Sequence, residues 1–213
     1  MAIKKITHYF DYKSPYAYLA QAEMFQLQDE YEVEIDWLPY TLDIPSYLGS
    51  ARVDASGKVL EEARNAHQWR RVKYSYMDCR REANRRGLVI RGPQKIFDSS
   101  IAHIGMLYAK RYADFRRYHD TVYERFWRRE LDIENPEVIQ SVLKEVGIDT
   151  SGFLAYLKGE GRQEHDRLHN AAEELGVFGV PSYVVNGELF WGNERVVRVQ
   201  EKLEQEGLRR KKN

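Results

Sequence analysis

The residues of this chain best placed to do chemistry form the tetrapeptide Ser14-Pro15-Tyr16-Ala17. A short β-type run precedes it and an amphipathic helical stretch follows it. Serine before proline is typical of a helix start, so an ordinary helix cap is one interpretation. The other is an anion site, because the unpaired N–H groups of a first helical turn and the helix dipole favour negative charge. A thiolate supplied from outside is one such anion.

Two kinds of chemistry are excluded at this tetrapeptide. Disulfide exchange needs a pair of sulfurs, and neither Ser14 nor Ala17 carries one. The one cysteine, Cys79, has no internal partner, and its helical surroundings predict a reduced structural thiol. A nucleophilic serine needs a neighbouring base, and the sequence around Ser14 supplies none. We therefore expect Ser14 to act as a hydrogen-bond donor.

Composition indicates a soluble globular chain with a sizeable core. It has 213 residues, of which 43% are hydrophobic, and its 33 Lys and Arg balance its 33 Asp and Glu. A net charge of zero gives no broad field for nucleic acid or an anionic membrane. No stretch approaches the ~20 apolar residues of a membrane span, and residues 1–5 lead into a strand pattern without a signal-peptide core. We expect a cytoplasmic protein that binds neither nucleic acid nor membrane.

Strand signals are confined to the two ends of the chain. The first forty residues or so predict strand, helix and strand, and the last forty or so predict helix, loop, hairpin and helix. Asn186-Gly187 is a strong local signal, because a tight type I′ hairpin turn needs positive φ at both central residues. The predicted strands are residues 6–10, 33–37, 182–185 and 188–191, and the predicted helices at these ends are 17–31, 168–175 and 193–206.

The long middle of the chain has helix signals and hardly any strand signal. Asn135-Pro136 predicts a helix start, and residues 60–86, 94–111 and 114–130 have helical spacing. This order of elements is that of an α/β thioredoxin-like fold with an insertion after its second strand: βαβ, a helical block, α and then ββα. We predict a discontinuous thioredoxin-like domain over residues 1–42 and 164–213. A large all-helical insertion is predicted over residues 43–163.

Val180-Pro181 lies directly before the predicted hairpin. A thioredoxin fold places a cis-proline loop there, against the start of its first helix. Cis X–Pro bonds are uncommon, so the dipeptide alone leaves the isomer open. In such a loop, the backbone N–H and C=O of Val180 could pair with a peptide-like thiol as an added strand. Ser14 and Val180 would then face the same ligand.

Three motifs extend this pattern over most of the chain: residues 10–19, residues 74–83 with Asp78 and Arg81, and residues 176–181 followed by 190–195. Together they resemble the 2-hydroxychromene-2-carboxylate isomerase and kappa-class glutathione transferase family, a branch of the DsbA-like thioredoxin folds. The resemblance implies glutathione as the cofactor, with Ser14 hydrogen-bonded to its sulfur. It also implies that Val180, ahead of a cis Pro181, pairs with the cysteinyl backbone.

Further glutathione contacts are implied by the same resemblance. Glu194 matches the acidic residue that holds the γ-glutamyl ammonium, and Asn193 matches the small polar residue on its carboxylate. Glutamate replaces the more usual aspartate, which adds one methylene and keeps the charge. Arg71 stands where relatives have a lysine that contacts glutathione, with Lys73 nearby.

A thiolate held in this way could add to a conjugated double bond, permit rotation and leave again, which is a cis–trans isomerisation. With an electrophile that cannot expel the sulfur, the same site would give conjugation. We therefore expect a homodimeric glutathione-dependent isomerase or transferase acting on a small aromatic or unsaturated compound. The alternative, favoured by the altered Arg71 region, is a non-redox DsbA-like binding or scaffold protein without catalysis.

Three other features each have more than one interpretation. His165 and His169 are spaced i, i+4 and could bind zinc, but Asp166 replaces the glutamate of a zinc-protease helix and no third ligand is evident. We predict no metal site. Residues 37–40 could line an apolar groove or pack in the core. Asp11 could be a functional charge near the site or a buried or capping carboxylate.

Overall fold

A computed structural model describes residues 5–112 and 115–211. The strands are β1 (Lys5–Phe10), β2 (Glu34–Pro39), β3 (Ala51–Val53), β4 (Val59–Glu62), β5 (Ser182–Val185) and β6 (Glu188–Trp191). The helices are α1 (Pro15–Glu30), α2 (Ile44–Leu48), α3 (Ala66–Arg85), α4 (Ser100–Ala109), α5 (Phe115–Trp127), α6 (Pro136–Glu145), α7 (Phe153–Lys158), α8 (Glu160–Glu174) and α9 (Val196–Gln205). A short 3₁₀ turn, Asn193–Arg195, precedes α9.

The chain divides into two compact units. The first consists of Met1–Tyr40 and Arg167–Asn213, and the second of Thr41–Asp166. The sequence predicts the divisions after residues 42 and 163, whereas the compact units divide after Tyr40 and Asp166.

A four-stranded mixed sheet in the order β2-β1-β5-β6 organises the first unit. Strands β1 and β2 are parallel and joined through α1, while β5 pairs antiparallel with both β1 and β6. The turn between β5 and β6 has positive φ at both Asn186 and Gly187, as a type I′ turn requires. The predicted α/β thioredoxin-like fold is confirmed.

Aromatic side chains pack on one face of this sheet. His8 on β1 is opposite Trp37 on β2 and Tyr183 on β5, with ring centroids 4.6 and 5.1 Å away. The Trp37 ring stacks on Phe25 of α1 at 4.2 Å, and its indole N–H donates to Gln28. Because Trp37 is only 1% exposed, its role is core packing and not the lining of a groove.

The second unit is mainly helical, whereas the sequence predicts an all-helical insertion. Helix α4 packs against α5, α6 and α7, and the Tyr118 hydroxyl of α5 donates to the Ala102 carbonyl at 2.9 Å. Gly105 is required here, because an added Cβ would lie 2.2 Å from that hydroxyl oxygen. Cys79 of α3 is buried and, as the one cysteine of the chain, forms no internal disulfide. None of the helices within residues 5–112 and 115–211 is long and apolar enough to cross a bilayer.

The insertion also contains an antiparallel hairpin that the sequence analysis missed. Strands β3 and β4 pair from Ala51 opposite Glu62 to Val53 opposite Val59. Residues 60–62 therefore belong to a strand, and α3 begins at Ala66, where Asn65 and Gln68 form a reciprocal capping box. The prediction of an all-helical insertion is therefore wrong at this hairpin, and the other regular elements described in the insertion are helices.

Candidate active site

Ser14 caps the N-terminus of α1. Its backbone is extended, and its Oγ accepts a hydrogen bond from the Ala17 N–H at 3.3 Å. The Ser14 N–H donates to the Asp11 carbonyl at 3.0 Å, which closes a tight turn directly after β1. The side chain is therefore fixed at the positive end of the helix dipole, as the Ser-Pro pattern predicts.

The structure brings Ser14 and Val180 together. The Ser14 hydroxyl donates to the Val180 carbonyl oxygen at 3.4 Å, and the Val180–Pro181 peptide bond is cis. Within the described parts of the chain, the Val180 N–H has no hydrogen-bond acceptor. The Ser14 hydroxyl thus lies beside the backbone of Val180, and the hydroxyl and the Val180 N–H are both groups that can donate to a ligand.

Two hydrogen bonds hold the cis-proline loop. The Ser182 hydroxyl donates to the Gly179 carbonyl at 2.7 Å, and the Gly192 N–H donates to the Pro181 carbonyl at 2.9 Å. Gly179 cannot carry a side chain without movement, because an added Cβ would lie 2.6 Å from the Trp191 indole nitrogen. The loop is therefore fixed by its neighbours on both sides.

The segment after β6 carries the next two predicted contacts. Gly192 has φ 117°, a conformation that favours glycine, and the Glu194 carboxylate lies over it. Glu194 is exposed, whereas the Oδ1 of Asn193 is buried and has no hydrogen-bond partner among the described residues. Such an orphaned acceptor suits an ammonium group. The carboxylate contact predicted for Asn193 would instead use its amide nitrogen.

A buried ion pair lies in the turn before Ser14. The Asp11 side chain is 0% exposed and that of Lys13 is 5% exposed, and the Lys13 Nζ lies 3.7 Å from Asp11 Oδ2. Asp11 Oδ1 also accepts the Lys13 backbone N–H at 3.0 Å. The sequence left the role of Asp11 open and did not indicate that Lys13 is buried. Lysine is rarely buried, so no pattern signals it.

Arg71 is exposed on α3 in the second unit. Lys73, two residues further along the helix, is also exposed and lies over the Trp69 ring, 5.9 Å from its centroid. The assignment of Arg71 to glutathione stays a prediction.

A polar cluster in the second unit was missed by the sequence analysis. Thr41 Oγ1 lies 2.9 Å from His103 Nδ1 and 2.9 Å from His165 Nε2, and His165 Nδ1 lies 2.9 Å from Asp166 Oδ1. Burial, followed by the nearby His103, lowers the pKa of His165 to about 4, so this ring is neutral at pH 7.

The proton positions in this cluster follow from that charge state. The carboxylate of Asp166 can only accept, so the His165 proton is on Nδ1 and its Nε2 accepts from Thr41. His103 Nδ1 must then donate to the Thr41 oxygen. Because His103 is 0% and His165 5% exposed, we interpret the cluster as a structural hydrogen-bond network.

His165 and His169 contact different groups. The His169 ring stacks on Tyr40 at 4.6 Å, and its Nε2 lies 3.5 Å from Glu173. In the parts of the chain that are described, no three His, Cys, Asp or Glu side chains group as metal ligands.

The donors around Ser14 fit a peptide-like thiol such as glutathione. The hydroxyl and the helix N-terminus match a sulfur anion, and the Val180 N–H matches a peptide carbonyl. The orphaned Asn193 oxygen and the Glu194 carboxylate match an amino group. Ser14 and Ala17 contain no sulfur, so a thiol at this place would have to belong to the ligand.

Comparison with known proteins agrees with the thioredoxin-like fold. The family model described as DSBA-like thioredoxin domain matches residues 5–204. A protein of Sphingobium xenophagum named 2-hydroxychromene-2-carboxylate isomerase is 27% identical over 194 residues, covering 91% of this chain and 94% of the relative. One of the same name from Pseudomonas putida is 28% identical over 199 residues, covering 92% of each. A solved structure of a 2-hydroxychromene-2-carboxylate isomerase superposes with TM-score 0.72 at 24% identity, covering 94% of this chain and 95% of the other.

Proposed function

Since the chain belongs to the DSBA-like thioredoxin family and lacks the sulfur pair of a disulfide oxidoreductase, we propose that it is a glutathione-dependent enzyme. Its proposed reaction is the cis–trans isomerisation of a small unsaturated aromatic acid of the 2-hydroxychromene-2-carboxylate type. The relatives of that name support this choice of substrate class. The observation that carries the proposal is the contact between the Ser14 hydroxyl and the backbone of Val180.

The residues of the site have separate roles in this proposal. Ser14 donates a hydrogen bond from its hydroxyl to the sulfur. For this the hydroxyl must turn away from the Val180 carbonyl oxygen, to which it donates at 3.4 Å. Val180 pairs with the cysteinyl backbone through its N–H, and Pro181 holds that residue in position. Asn193 and Glu194 hold the amino end of the tripeptide.

Glutathione, when bound, supplies a thiol whose anion can add reversibly to a conjugated double bond. What the protein contributes is electrostatic. A hydrogen bond to the anion and the positive end of α1 both favour thiolate over thiol, so they lower the pKa of the bound thiol. The same donors serve conjugation when the electrophile cannot expel the sulfur, which makes transferase activity a side reaction of the same site.

Turnover of purified protein on 2-hydroxychromene-2-carboxylate, followed by absorbance, tests this proposal. We expect isomerisation that requires glutathione, saturates with it, and is not restored by methylated glutathione, which lacks the thiol. Binding of glutathione without turnover of this acid or of other conjugated electrophiles would instead identify a binding protein. Activity that is independent of glutathione would contradict the proposal. A homodimer and a cytoplasmic location stay predictions, to be tested by analytical ultracentrifugation and by cell fractionation.

A further inference from the structure

The buried ion pair before Ser14 has no part in the function proposed above. Asp11 and Lys13 are both withdrawn from water, although charged side chains are rarely buried. Taking two such charges out of water costs free energy that a single ion pair does not always recover. The pair also lies directly next to Ser14. Lys13 is the chain neighbour of Ser14, and the Asp11 carbonyl oxygen accepts a hydrogen bond from the Ser14 N–H.

A charge in this position acts on any anion held by Ser14. The Ser14 N–H donates to the Asp11 carbonyl oxygen at 3.0 Å and Lys13 is the chain neighbour of Ser14, so the three residues belong to one tight turn. Asp11, Lys13 and Ser14 are all buried, so Coulomb interactions among them are screened less than at the surface. An ammonium favours a thiolate and a carboxylate disfavours it.

We propose that the buried Asp11–Lys13 pair controls the charge state of the thiol held by Ser14, with Lys13 favouring the thiolate and Asp11 opposing it. This inference rests on the proposed function, because it needs a thiol at Ser14. Both residues act through charge, without contact with the sulfur. Alone, Asp11 would be a second negative charge beside the thiolate, and Lys13 offsets it.

Other charged groups of the first unit are less able to set this balance. Glu194 and Arg195, which follow β6, are both exposed, and Glu23 of α1 is half-buried. Exposed charges are screened by water and salt, whereas a buried pair is screened much less. Glu194 also has the separate role of holding the amino group of the ligand.

Substitutions that remove one charge at a time test the inference. Lys13→Met keeps most of the side-chain length and removes the positive charge, and Asp11→Asn keeps the Oδ1 acceptor for the Lys13 N–H and removes the negative charge. The pKa of the bound thiol is measured from thiolate absorbance against pH, with glutathione and purified protein. The pH dependence of kcat/KM with chlorodinitrobenzene gives a second reading. Near-ultraviolet circular dichroism checks that each variant is folded.

We expect Lys13→Met to raise the thiol pKa by about one unit and Asp11→Asn to lower it by a similar amount. The double variant should return close to the wild-type value, because both charges are then absent. Lys13→Arg, which keeps the charge, should stay near wild type. A purely structural role would instead weaken glutathione binding in both single variants without shifts of opposite sign.

The outcomes separate this inference from the proposed function. If wild-type protein does not lower the thiol pKa at all, the proposed function fails. If it does, but the two single variants shift the pKa in the same direction or not at all, the inference about Asp11 and Lys13 is wrong while the role of Ser14 stands. Should Asp11→Asn not fold, the comparison of Lys13→Met with Lys13→Arg still decides the role of Lys13.

Discussion

The Ser14 hydroxyl donates to the Val180 carbonyl oxygen across 3.4 Å, although the two residues are 166 positions apart in the chain. One comes from the first turn of α1 and the other from the cis-proline loop before β5, and the pairing of β1 with β5 brings the two together. The sheet thus positions a side-chain donor beside the backbone of Val180, whose N–H has no acceptor among the described residues.

Replacing Ser14 with alanine removes the donor. We expect Ser14→Ala to lower glutathione-dependent turnover on the order of 100-fold, by analogy with the loss of one donor to a developing anion. The variant also loses a helix cap, which costs about 1 kcal/mol of stability. Asn135→Ala is the matched control, because Asn135 caps α6 in the other unit through the N–H groups of Glu137 and Val138. Equal loss of activity in both variants would contradict a role for the hydroxyl.

Gly179 is predicted to tolerate no side chain. An added Cβ meets the indole of Trp191 at 2.6 Å, so Gly179→Ala must displace Trp191 or the loop that carries Val180. We expect a loss of about 1–3 kcal/mol in the free energy of unfolding and weaker glutathione binding by calorimetry. Gly152→Ala is the control, because its nearest contact is an ordinary 3.5 Å. Unchanged binding in Gly179→Ala would show that the loop adapts.

Acid should destabilise the fold through its buried histidines. Burial lowers the pKa of His8 to about 3 and, with His103, that of His165 to about 4, against 6.5 ordinarily. Between pH 6.5 and these values the unfolded chain binds protons that the folded chain does not. Stability is therefore full above pH 6.5 and falls as the pH drops, by at most about 1.4 kcal/mol per pH unit for each histidine.

Urea unfolding of His8→Phe at pH 7 and pH 5 measures how much of the pH dependence of stability comes from His8. Both His8 ring nitrogens lack partners in the described structure, so the variant should keep its stability at pH 7 and lose part of the acid dependence. If the free energy of unfolding of His8→Phe changes with pH as much as that of wild type, His8 does not contribute to the acid dependence and the prediction is wrong.

Thr41 is predicted to stabilise the second unit through both histidines. Thr41→Val keeps the shape and leaves His103 Nδ1 and His165 Nε2 without their shared partner. We expect a loss of about 1–3 kcal/mol in the free energy of unfolding, and recovery of most of it in Thr41→Ser. If valine is as stable as threonine, the hydroxyl does not bridge the two rings.

Local signals in the sequence were sufficient for much of the fold. Asn186-Gly187 predicted the β5–β6 hairpin, and Ser14-Pro15 predicted the start of α1, because each depends on backbone preferences of adjacent residues. The β3–β4 hairpin was missed because all four residues of β4 are exposed, so no alternation of apolar and polar residues marks it.

Features of the site that depend on distant packing could not be predicted. Nothing local shows that Lys13 is buried, or that the Asn193 oxygen has no hydrogen-bond partner among the described residues. The Thr41 cluster joins Thr41 to His103, which is 62 positions away, and to His165, which is 124 positions away. Nothing in the sequence distinguishes either histidine from an ordinary core histidine. The Val180 contact was predicted only because the order of elements indicated the thioredoxin-like topology.

The central claim is that Ser14 and the α1 terminus hold a bound thiol as thiolate. Its most direct test is a pH titration of thiolate absorbance for glutathione bound to wild-type protein, compared with free glutathione and with Ser14→Ala. For wild-type protein the account predicts that the pKa of the bound thiol lies well below that of free glutathione. For Ser14→Ala it predicts that this pKa returns most of the way to the value of free glutathione. A bound thiol that titrates like the free one in wild-type protein would contradict it.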